Sequence, residues 1–397
     1  MASGVVAERI ALMQRAVAPF MEAIVMGPIG RMPRDRPVAD FVAGNPQEGT
    51  LPEFLAALQR WSTPRDTGWF AYKGPDQRAR EVAAAALGAR LDLPFGPDDV
   101  FLARGASGGL ALTLQAVLDP GDEVVFLSPP WFFYEAMILA AGGVPVRVRV
   151  DPATFDLDVP AIATALGPRT RAVVVNTPHN PTGKIYPPAT LERLAAALNE
   201  ASARHGQPIY LISDEAYSRT LFDSGQFHTP GRFYPRTFLL HTYSKSALAP
   251  GQRLGYVALA PGMPDRDRVG GALMMAGLLS GIGMPDAVMQ YALPDIEPLS
   301  IDLDHLQRKR DRMVAALRAQ GYELHAPEAT FYLLPRSPLA DDAAFAARLA
   351  ERDVYVLPGR AVEMPGYFRL SLTATDAMID QALPVFADTI GAVGRRR

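Results

Sequence analysis

The chain has 397 residues, 49% of them hydrophobic, and a formal net charge of −3. A net charge this small does not favour binding to nucleic acid or to a membrane surface, so a small-molecule partner is expected. Because the sequence contains no cysteine, it excludes disulfide bridges, thiolate metal sites and cysteine nucleophiles. We predict no metal site.

The N-terminal segment places apolar residues at helical spacing over residues 5–26, and Gly27-Pro28 ends the pattern, which predicts an arm helix. Charged side chains such as Glu8 and Arg9 interrupt it. It therefore lacks both the unbroken core of a signal peptide and the roughly 18 apolar residues of a spanning helix. We expect a cytoplasmic protein.

The next part of the chain indicates a layered α/β structure. Residues 40–52 are typical of a short strand that leaves into a loop. Short apolar runs rich in β-branched residues then predict strands at 123–127, 144–150, 171–175, 209–212, 238–241 and 255–259. Helices are predicted between them, including 108–118, 132–141 and 188–203. Buried strands separated by helices indicate a largely parallel sheet.

After residue 294 the pattern changes. A long helical stretch at 302–320 is followed by short segments at 322–325 and 330–334, a helix near 341–350, a segment at 367–372 and a last helix. This predicts an α+β domain that the N-terminal arm completes. We therefore expect an arm at 1–44 that joins the small domain, a large domain at 45–295 and a small C-terminal domain at 296–397.

Polar residues follow two of the predicted strands. Asn180 lies in a turn after the strand at 171–175, and Asp214 and Tyr217 follow the strand at 209–212. Open α/β sheets bind ligands at the carboxyl ends of their strands. A carboxylate there can keep a pyridine nitrogen protonated, a role that suits Asp214, and Tyr217 could bind the ring's phenolic oxygen. An ordinary loop and a helix cap are the structural alternatives.

Lys245 follows another predicted strand, between the hydroxyls of Thr242 and Ser244 and ahead of Arg253 in a glycine-rich turn. A lysine in this position is usually a surface residue. Here the hydroxyls and the guanidinium would form an anion pocket, and a lysine beside such a pocket can bind an aldehyde as an imine. A phosphate combined with an aldehyde indicates pyridoxal 5′-phosphate.

Two further segments are weaker signals. Ala106 and Ser107 lie in a glycine-rich turn that opens an apolar helix, where backbone N–H groups and the helix dipole attract phosphate, although a plain turn is the commoner interpretation. Trp131 begins an aromatic cluster after a strand and is positioned to stack on a planar ring. Such clusters more often belong to a core.

Taken together, the segments GASGG, SPPW, NTPHNPTG, SDEAY, SKS with GQRLGY, and YFRLS occur in the order and spacing typical of one family. The sequence resembles the class I/II aminotransferases of pyridoxal-phosphate fold type I, which are aspartate-aminotransferase-like, over nearly the whole chain. The resemblance implies a large domain with a mainly parallel seven-stranded sheet and a smaller α+β C-terminal domain. It also implies ping-pong transfer of the amino group of an L-amino acid to a 2-oxo acid, and a homodimer with shared active sites.

The resemblance assigns a role to each matching residue. Lys245 would hold the cofactor as a Schiff base and shuttle the proton, while Asp214 would pair with the pyridinium nitrogen. The ring would be contacted by Asn180, Tyr217 and Trp131. The phosphate would be bound by Ala106, Ser107, Thr242 and Arg253.

For the substrate, the resemblance implies that Arg369 grips the carboxylate with both arms of its guanidinium and that the Gly44 loop closes on it. Asn180 and Trp131 would also contact the substrate. The structural alternative for Arg369 is a strand arginine paired with a neighbouring acid. His179 is expected to be a loop residue without a catalytic part.

The sequence departs from the family's pattern in two places. A tyrosine from the neighbouring subunit normally reaches the phosphate, and Tyr72, next to Trp69 and Phe70, is only a candidate because the spacing does not align. Residues 272–290 contain no arginine, whereas some dicarboxylate-specific relatives take a side-chain-binding arginine from this region of the partner subunit. Specificity for aspartate by that route is in doubt.

Other functions on the same scaffold stay open at this point. A β-lyase, a racemase, a decarboxylase or an oxidative deaminase would use the same cofactor, because fold does not settle function. A non-catalytic regulator would need a DNA-binding domain, for which the residues before Gly44 are too few. The substrate side chain is also open: Phe132, Phe133 and Met274-Met275 would suit an apolar or aromatic one, or could be packing.

Overall fold

The computed structural model describes residues 5–394. The strands are β1 (Ala39–Asp40), β2 (Val100–Ala103), β3 (Glu123–Ser128), β4 (Val144–Arg149), β5 (Thr170–Asn176), β6 (Tyr210–Asp214), β7 (Thr237–Thr242), β8 (Gly255–Leu259), β9 (Tyr332–Leu333), β10 (Val354–Tyr355), β11 (Leu357–Pro358) and β12 (Phe368–Ser371). The helices are α1 (Glu8–Met21), α2 (Pro52–Ser62), α3 (Gln77–Leu91), α4 (Gly105–Val117), α5 (Tyr134–Ala140), α6 (Val159–Ala165), α7 (Pro188–His205), α8 (Tyr243–Ser246), α9 (Arg266–Leu279), α10 (Ala287–Ile296), α11 (Leu303–Ala319), α12 (Asp342–Ala350) and α13 (Asp376–Gly394).

A seven-stranded sheet with the order β2-β8-β7-β6-β5-β3-β4 forms the centre of the fold. Strands β4, β3, β5, β6 and β7 pair in parallel, and β8 is antiparallel to both of its neighbours. Residues of β5, β6 and β7 are almost all buried, as expected for apolar, β-branched strands that helices cover on both faces. The predicted mainly parallel α/β fold is confirmed.

Helix α4 begins at Gly105, three residues earlier than the predicted start at Gly108. Gly105 has a φ of +71°, a left-handed conformation that side chains rarely adopt, and it turns the chain from β2 into the helix. A Cβ atom there would lie 2.6 Å from Nη2 of Arg253. Only glycine therefore permits this close approach.

The C-terminal part contains an antiparallel sheet with the order β11-β12-β9, packed with α11, α12 and α13. The segment at 322–325 does not form a strand; instead the buried Tyr322 packs into the core and donates a hydrogen bond to the Phe386 carbonyl at 2.9 Å. Of residues 330–334, only Tyr332–Leu333 is a strand. Strand β1 pairs in parallel with β10, which ties the N-terminal arm to this part of the chain.

The arm helix α1 continues into a π-helical turn, Glu22–Met26, and a short 3₁₀ turn, Pro28–Arg31. The whole segment Glu8–Arg31 is long and apolar enough, by length and composition, to cross a membrane. This is weak evidence, because a signal sequence near the N-terminus passes the same test. Helix α1 lies against α5, and the Phe20 ring stacks on Phe132 with centroids 3.7 Å apart. The arm therefore packs beside the carboxyl edge of the central sheet.

Candidate active site

A cavity of about 250 Å³ opens where β5, β6 and β7 end. It brings together every residue predicted to bind cofactor or substrate except Tyr72. These residues are Gly44, Ala106, Ser107, Trp131, Asn180, Asp214, Tyr217, Thr242, Ser244, Lys245, Arg253 and Arg369. The side chain of Tyr72 is fully exposed and lies outside this cavity.

One end of the cavity is an anion cradle. The Arg253 guanidinium donates hydrogen bonds to Oγ of Ser244 at 3.0 Å and to Oγ of Ser107 at 3.1 Å. Thr242 donates to the Ser244 hydroxyl at 2.9 Å, and the first turn of α4 contributes its unpaired N–H groups. A cation, hydroxyls and a helix N-terminus converge here, so the cradle fits the phosphate of the predicted cofactor.

A buried carboxylate lies across the cavity. Asp214 accepts a hydrogen bond from the Tyr134 hydroxyl at 2.5 Å and one from the Ala216 N–H at 3.3 Å. Burial raises the pKa of Asp214, because a carboxylate loses hydration there. A protonated pyridine nitrogen would give this carboxylate a cationic partner. Sequence patterns gave no reason to select Tyr134, which lies in the aromatic run after β3.

The turn that carries Asn180 is fixed by a neighbouring amide. Asn176 donates from Nδ2 to the Asp214 carbonyl at 2.9 Å and accepts from the Asn180 N–H at 2.7 Å. This side chain locks the ends of β5 and β6 to each other. The Asn180 side chain is thereby held in the cavity, where its Oδ1 accepts a hydrogen bond from Arg369 at 3.1 Å.

Arg369 is 3% exposed and has no acidic partner among residues 5–394. Its guanidinium donates to Asn180 and to the Val42 carbonyl at 3.0 Å, and its Nε is buried without a hydrogen-bond partner in the described chain. The alternative of a strand arginine paired with an acid is therefore wrong. A buried guanidinium with a free N–H is a favourable site for a ligand carboxylate.

Tyr332 also lines the cavity, and sequence patterns did not select it because it reads as a core aromatic residue. Its ring centroid lies 4.1 Å from Cζ of Arg369, and its hydroxyl lies 3.4 Å from that of Tyr217. Burial opposes ionisation of Tyr332, but the charges of Arg369 and Lys245 outweigh it and lower its pKa below the usual value. Burial raises the pKa of Tyr217. A side chain at Gly44 would collide with the Tyr332 hydroxyl.

His179 is a buried structural residue in this geometry. Its Nε2 lies 3.0 Å from the Pro129 carbonyl, so Nε2 carries the proton, and Nδ1 accepts from the Thr182 hydroxyl at 2.8 Å. It connects the loops that follow β3 and β5. It does not line the cavity, and its expected lack of a catalytic part stays a prediction.

Burial lowers the pKa of His179 from 6.5 to about 4, so the folded chain resists a proton that the unfolded chain accepts. Stability should therefore fall as the pH drops from about 6.5 to about 4, by up to roughly 3 kcal/mol from this group. The His179→Gln variant should lose this share of the dependence in chemical unfolding measured across that range. His228→Gln, at a partly exposed histidine, is the control, and a wild-type pH dependence in His179→Gln would contradict the prediction.

A family model described as aminotransferase class I and II matches residues 36–386 of the chain. An aspartate/prephenate aminotransferase of Thermus thermophilus is 32% identical over 365 residues, which cover 88% of this chain and 90% of that protein. An aspartate aminotransferase of Thermotoga maritima is 29% identical, covering 89% of this chain and 92% of its own.

Solved structures agree with these matches. An aminotransferase from Eubacterium rectale superposes with a TM-score of 0.85 at 25% identity and covers 98% of this chain and 96% of its own. The aspartate aminotransferase of Thermus thermophilus with maleate gives a TM-score of 0.81 at 29% identity, covering 97% and 100%.

Proposed function

The chain belongs to the class I and II aminotransferases, and we propose that Lys245 is its catalytic lysine. These enzymes depend on pyridoxal phosphate and move an amino group from an amino acid to a 2-oxo acid. One observation carries this proposal: Lys245 lines a single cavity together with the anion cradle of Arg253, the buried Asp214 and the unpaired Nε of Arg369. Among the described residues that line the cavity, Lys245 is the only lysine.

Pyridoxal phosphate, when bound, supplies an aldehyde that bonds to amino groups and a ring that accepts electrons from the substrate's α-carbon. The chain's own residues do the rest. Arg253 with the hydroxyls of Ser107, Thr242 and Ser244 would hold the phosphate, with Ala106 contributing from the first turn of α4. Asp214 would keep the ring nitrogen protonated, oriented by its hydrogen bond from Tyr134.

Substrate binding and proton transfer use the opposite side of the cavity. Arg369, oriented by Asn180, would hold the substrate carboxylate while Gly44 gives the loop its close approach. Lys245 would take the α-proton at Nζ and return it, as a general base and then a general acid. Asn180 and Tyr217 would bind the ring oxygen, and Trp131 would cover the ring face and exclude water. Because the first product leaves before the second substrate binds, we expect ping-pong kinetics.

The test of this reaction is the fate of the amino nitrogen. An amino acid carrying a heavy nitrogen isotope is incubated with a 2-oxo acid and the enzyme, and the products are analysed by mass spectrometry. We expect the label on the amino acid formed from the 2-oxo acid. Release of the label as ammonia would indicate a lyase or an oxidative deaminase, and its retention on the starting amino acid a racemase.

We further propose that the active protein is a homodimer with shared sites. Tyr72 is fully exposed in the single chain, and large apolar side chains such as Phe70, Leu278 and Leu279 are exposed as well. Large apolar side chains exposed next to each other, as Leu278 and Leu279 are, suit an interface between subunits. Tyr72 would reach the phosphate cradle of the neighbouring subunit.

Mixed dimers test this sharing. A Tyr72→Ala chain and a Lys245→Ala chain should each have low activity, and together they should recover roughly a quarter of wild-type turnover, because half the dimers carry one intact site. Mixing Lys245→Ala with Asp214→Ala is the control, since these two residues serve the same site and neither mixed site is intact. Full activity of Tyr72→Ala alone would contradict the proposal.

We also propose that the arm at 1–44 belongs with the C-terminal domain at 296–397, apart from the large domain at 45–295, and that the enzyme is cytoplasmic. The pairing of β1 with β10 supports the first proposal. The bacterial source of the matched relatives, together with the charged residues in the arm helix, supports the second.

A further inference from the structure

We propose that the substrate of this enzyme carries an apolar or aromatic side chain and no second carboxylate. The inference rests on the roles proposed above for Lys245 and Arg369, because it concerns the part of the same cavity that those roles leave for the side chain. The matched relatives with aspartate in their names act on an amino acid with two carboxylates. This chain would differ from them in substrate class.

The charges in the cavity are already assigned. Among the described residues that line it, the cations are Lys245, Arg253 and Arg369. Arg253 donates into the phosphate cradle, and in the proposed mechanism Lys245 would serve the reacting carbon and Arg369 the α-carboxylate. The remaining charged residue of the lining is Asp214, which would be paired with the ring nitrogen and, as an anion, offers a second carboxylate no partner. The side-chain end of the cavity therefore offers no partner for one.

One side of the wall is apolar, and the arm supplies part of it. Phe20, at the end of α1, stacks on Phe132 with an interplanar angle of 10°. Ile24, in the π-helical turn, lies in the same wall together with Trp131, whose ring centroid is 5.9 Å from that of Phe132. Val42 completes this side of the cavity. These side chains form a surface that contributes affinity for hydrocarbon and nothing for a carboxylate.

The segment of the neighbouring subunit that supplies a side-chain-binding arginine in some relatives offers no such cation in this chain. Residues 271–285, GALMMAGLLSGIGMP, contain no charged residue at all. The exposed side chains of Met275, Leu278 and Leu279 would instead add apolar surface. A carboxylate brought against this wall would lose its hydration without gaining a cation, which is strongly unfavourable.

Two unreactive carboxylic acids test the proposal by binding to the cofactor-loaded enzyme, measured by titration calorimetry. Hydrocinnamate corresponds to phenylalanine without its amino group, and succinate to aspartate without its amino group. We expect hydrocinnamate to bind at least about tenfold more tightly than succinate, the ratio that a difference of about 1.4 kcal/mol gives. The same order should hold for the kcat/KM values of phenylalanine and aspartate.

Two arginine substitutions in the arm provide a second test and its matched control. Ile24→Arg places a cation in the wall and should raise succinate affinity about tenfold or more, the factor expected of one charge-assisted hydrogen bond partly shielded from water. Val25→Arg places the same cation on the adjacent residue, which is 55% exposed and outside the cavity, and should leave both affinities unchanged. A similar gain in both variants would mean a general charge effect and would overturn the assignment of the wall.

The outcomes separate this inference from the proposed catalytic roles. Tighter binding of succinate, or faster turnover of aspartate, in the wild-type enzyme would overturn the inference and leave the roles of Lys245 and Arg369 intact. Preference for hydrocinnamate without any transfer of amino nitrogen would support the apolar wall and contradict the proposed transamination. If neither acid binds, the kcat/KM ratio of phenylalanine to aspartate decides, and a ratio below one contradicts the inference.

Discussion

The Lys245→Ala variant should lose at least about 10⁴-fold in kcat, the upper range of what a positioned acid–base group contributes. In the proposed mechanism Lys245 both bonds the cofactor and carries the α-proton, so one substitution removes two functions. The visible absorption band of the lysine-bound cofactor should disappear as well. Because the side chain is partly exposed and makes no hydrogen bond that holds the fold, the variant should unfold at a similar denaturant concentration.

Lys184→Ala is the matched control for this variant. Lys184 also follows a strand of the sheet, but it lies outside the cavity and forms an ion pair with Glu328 at 3.0 Å. Its removal should leave turnover and the absorption band close to wild type, because surface ion pairs contribute about 0–1 kcal/mol. Normal turnover in Lys245→Ala would remove the central role of this lysine.

The Arg369→Ala variant should raise KM for the amino acid at least about thirtyfold, which corresponds to the roughly 2 kcal/mol or more that follows truncation of one buried charge partner. The effect on kcat should be smaller, because the carboxylate is held throughout the reaction and its binding is largely uniform. Steady-state kinetics with the preferred amino acid give both constants.

Two further variants make this result specific. Arg369→Lys should recover only part of the affinity, since an ammonium keeps the charge but not the two-armed hydrogen bonding of a guanidinium. Arg352→Ala removes an exposed arginine that pairs with Asp388 at 2.9 Å, and its kinetics should match wild type. An unchanged KM in Arg369→Ala would assign this arginine to holding Asn180 and Val42 in place.

The central sheet and most of the cavity could be predicted because their signals are local. Runs such as Val173-Val174-Val175 are buried on both faces of the sheet. The polar residues that come after these strands all lie at one edge of the sheet. The family's motifs from GASGG to SKS lie at these strand ends, where topology alone brings them together, whatever the helices between them do. Arg369 lies instead within β12 of the C-terminal sheet.

Other parts of the site depend on contacts between distant segments, which no local pattern reveals. Tyr134 reaches Asp214 across a sequence separation of 80 residues. Phe20 meets Phe132 only because the arm folds back onto α5. Tyr332 has the pattern of a core residue, and it becomes a site residue because Arg369 lies over its ring.

Helices α2 and α3 of the large part were also not predicted. Helix α3 carries the run Ala83-Ala84-Ala85-Ala86, where small residues give little contrast between its faces, and α2 is short. Tertiary packing stabilises both helices: Trp61 of α2 stacks with Trp69, and α10 packs against α2 and α3. At 322–325, conversely, side-chain packing of Tyr322 replaces the sheet pairing that an apolar segment would favour.

The visible absorption spectrum of the purified protein, recorded before and after the addition of single amino acids and then of a 2-oxo acid, tests the proposed chemistry most directly. We predict a visible band that apolar or aromatic amino acids remove and that a 2-oxo acid restores. A protein that stays colourless after incubation with pyridoxal phosphate, or a band that no amino acid changes, would contradict the account.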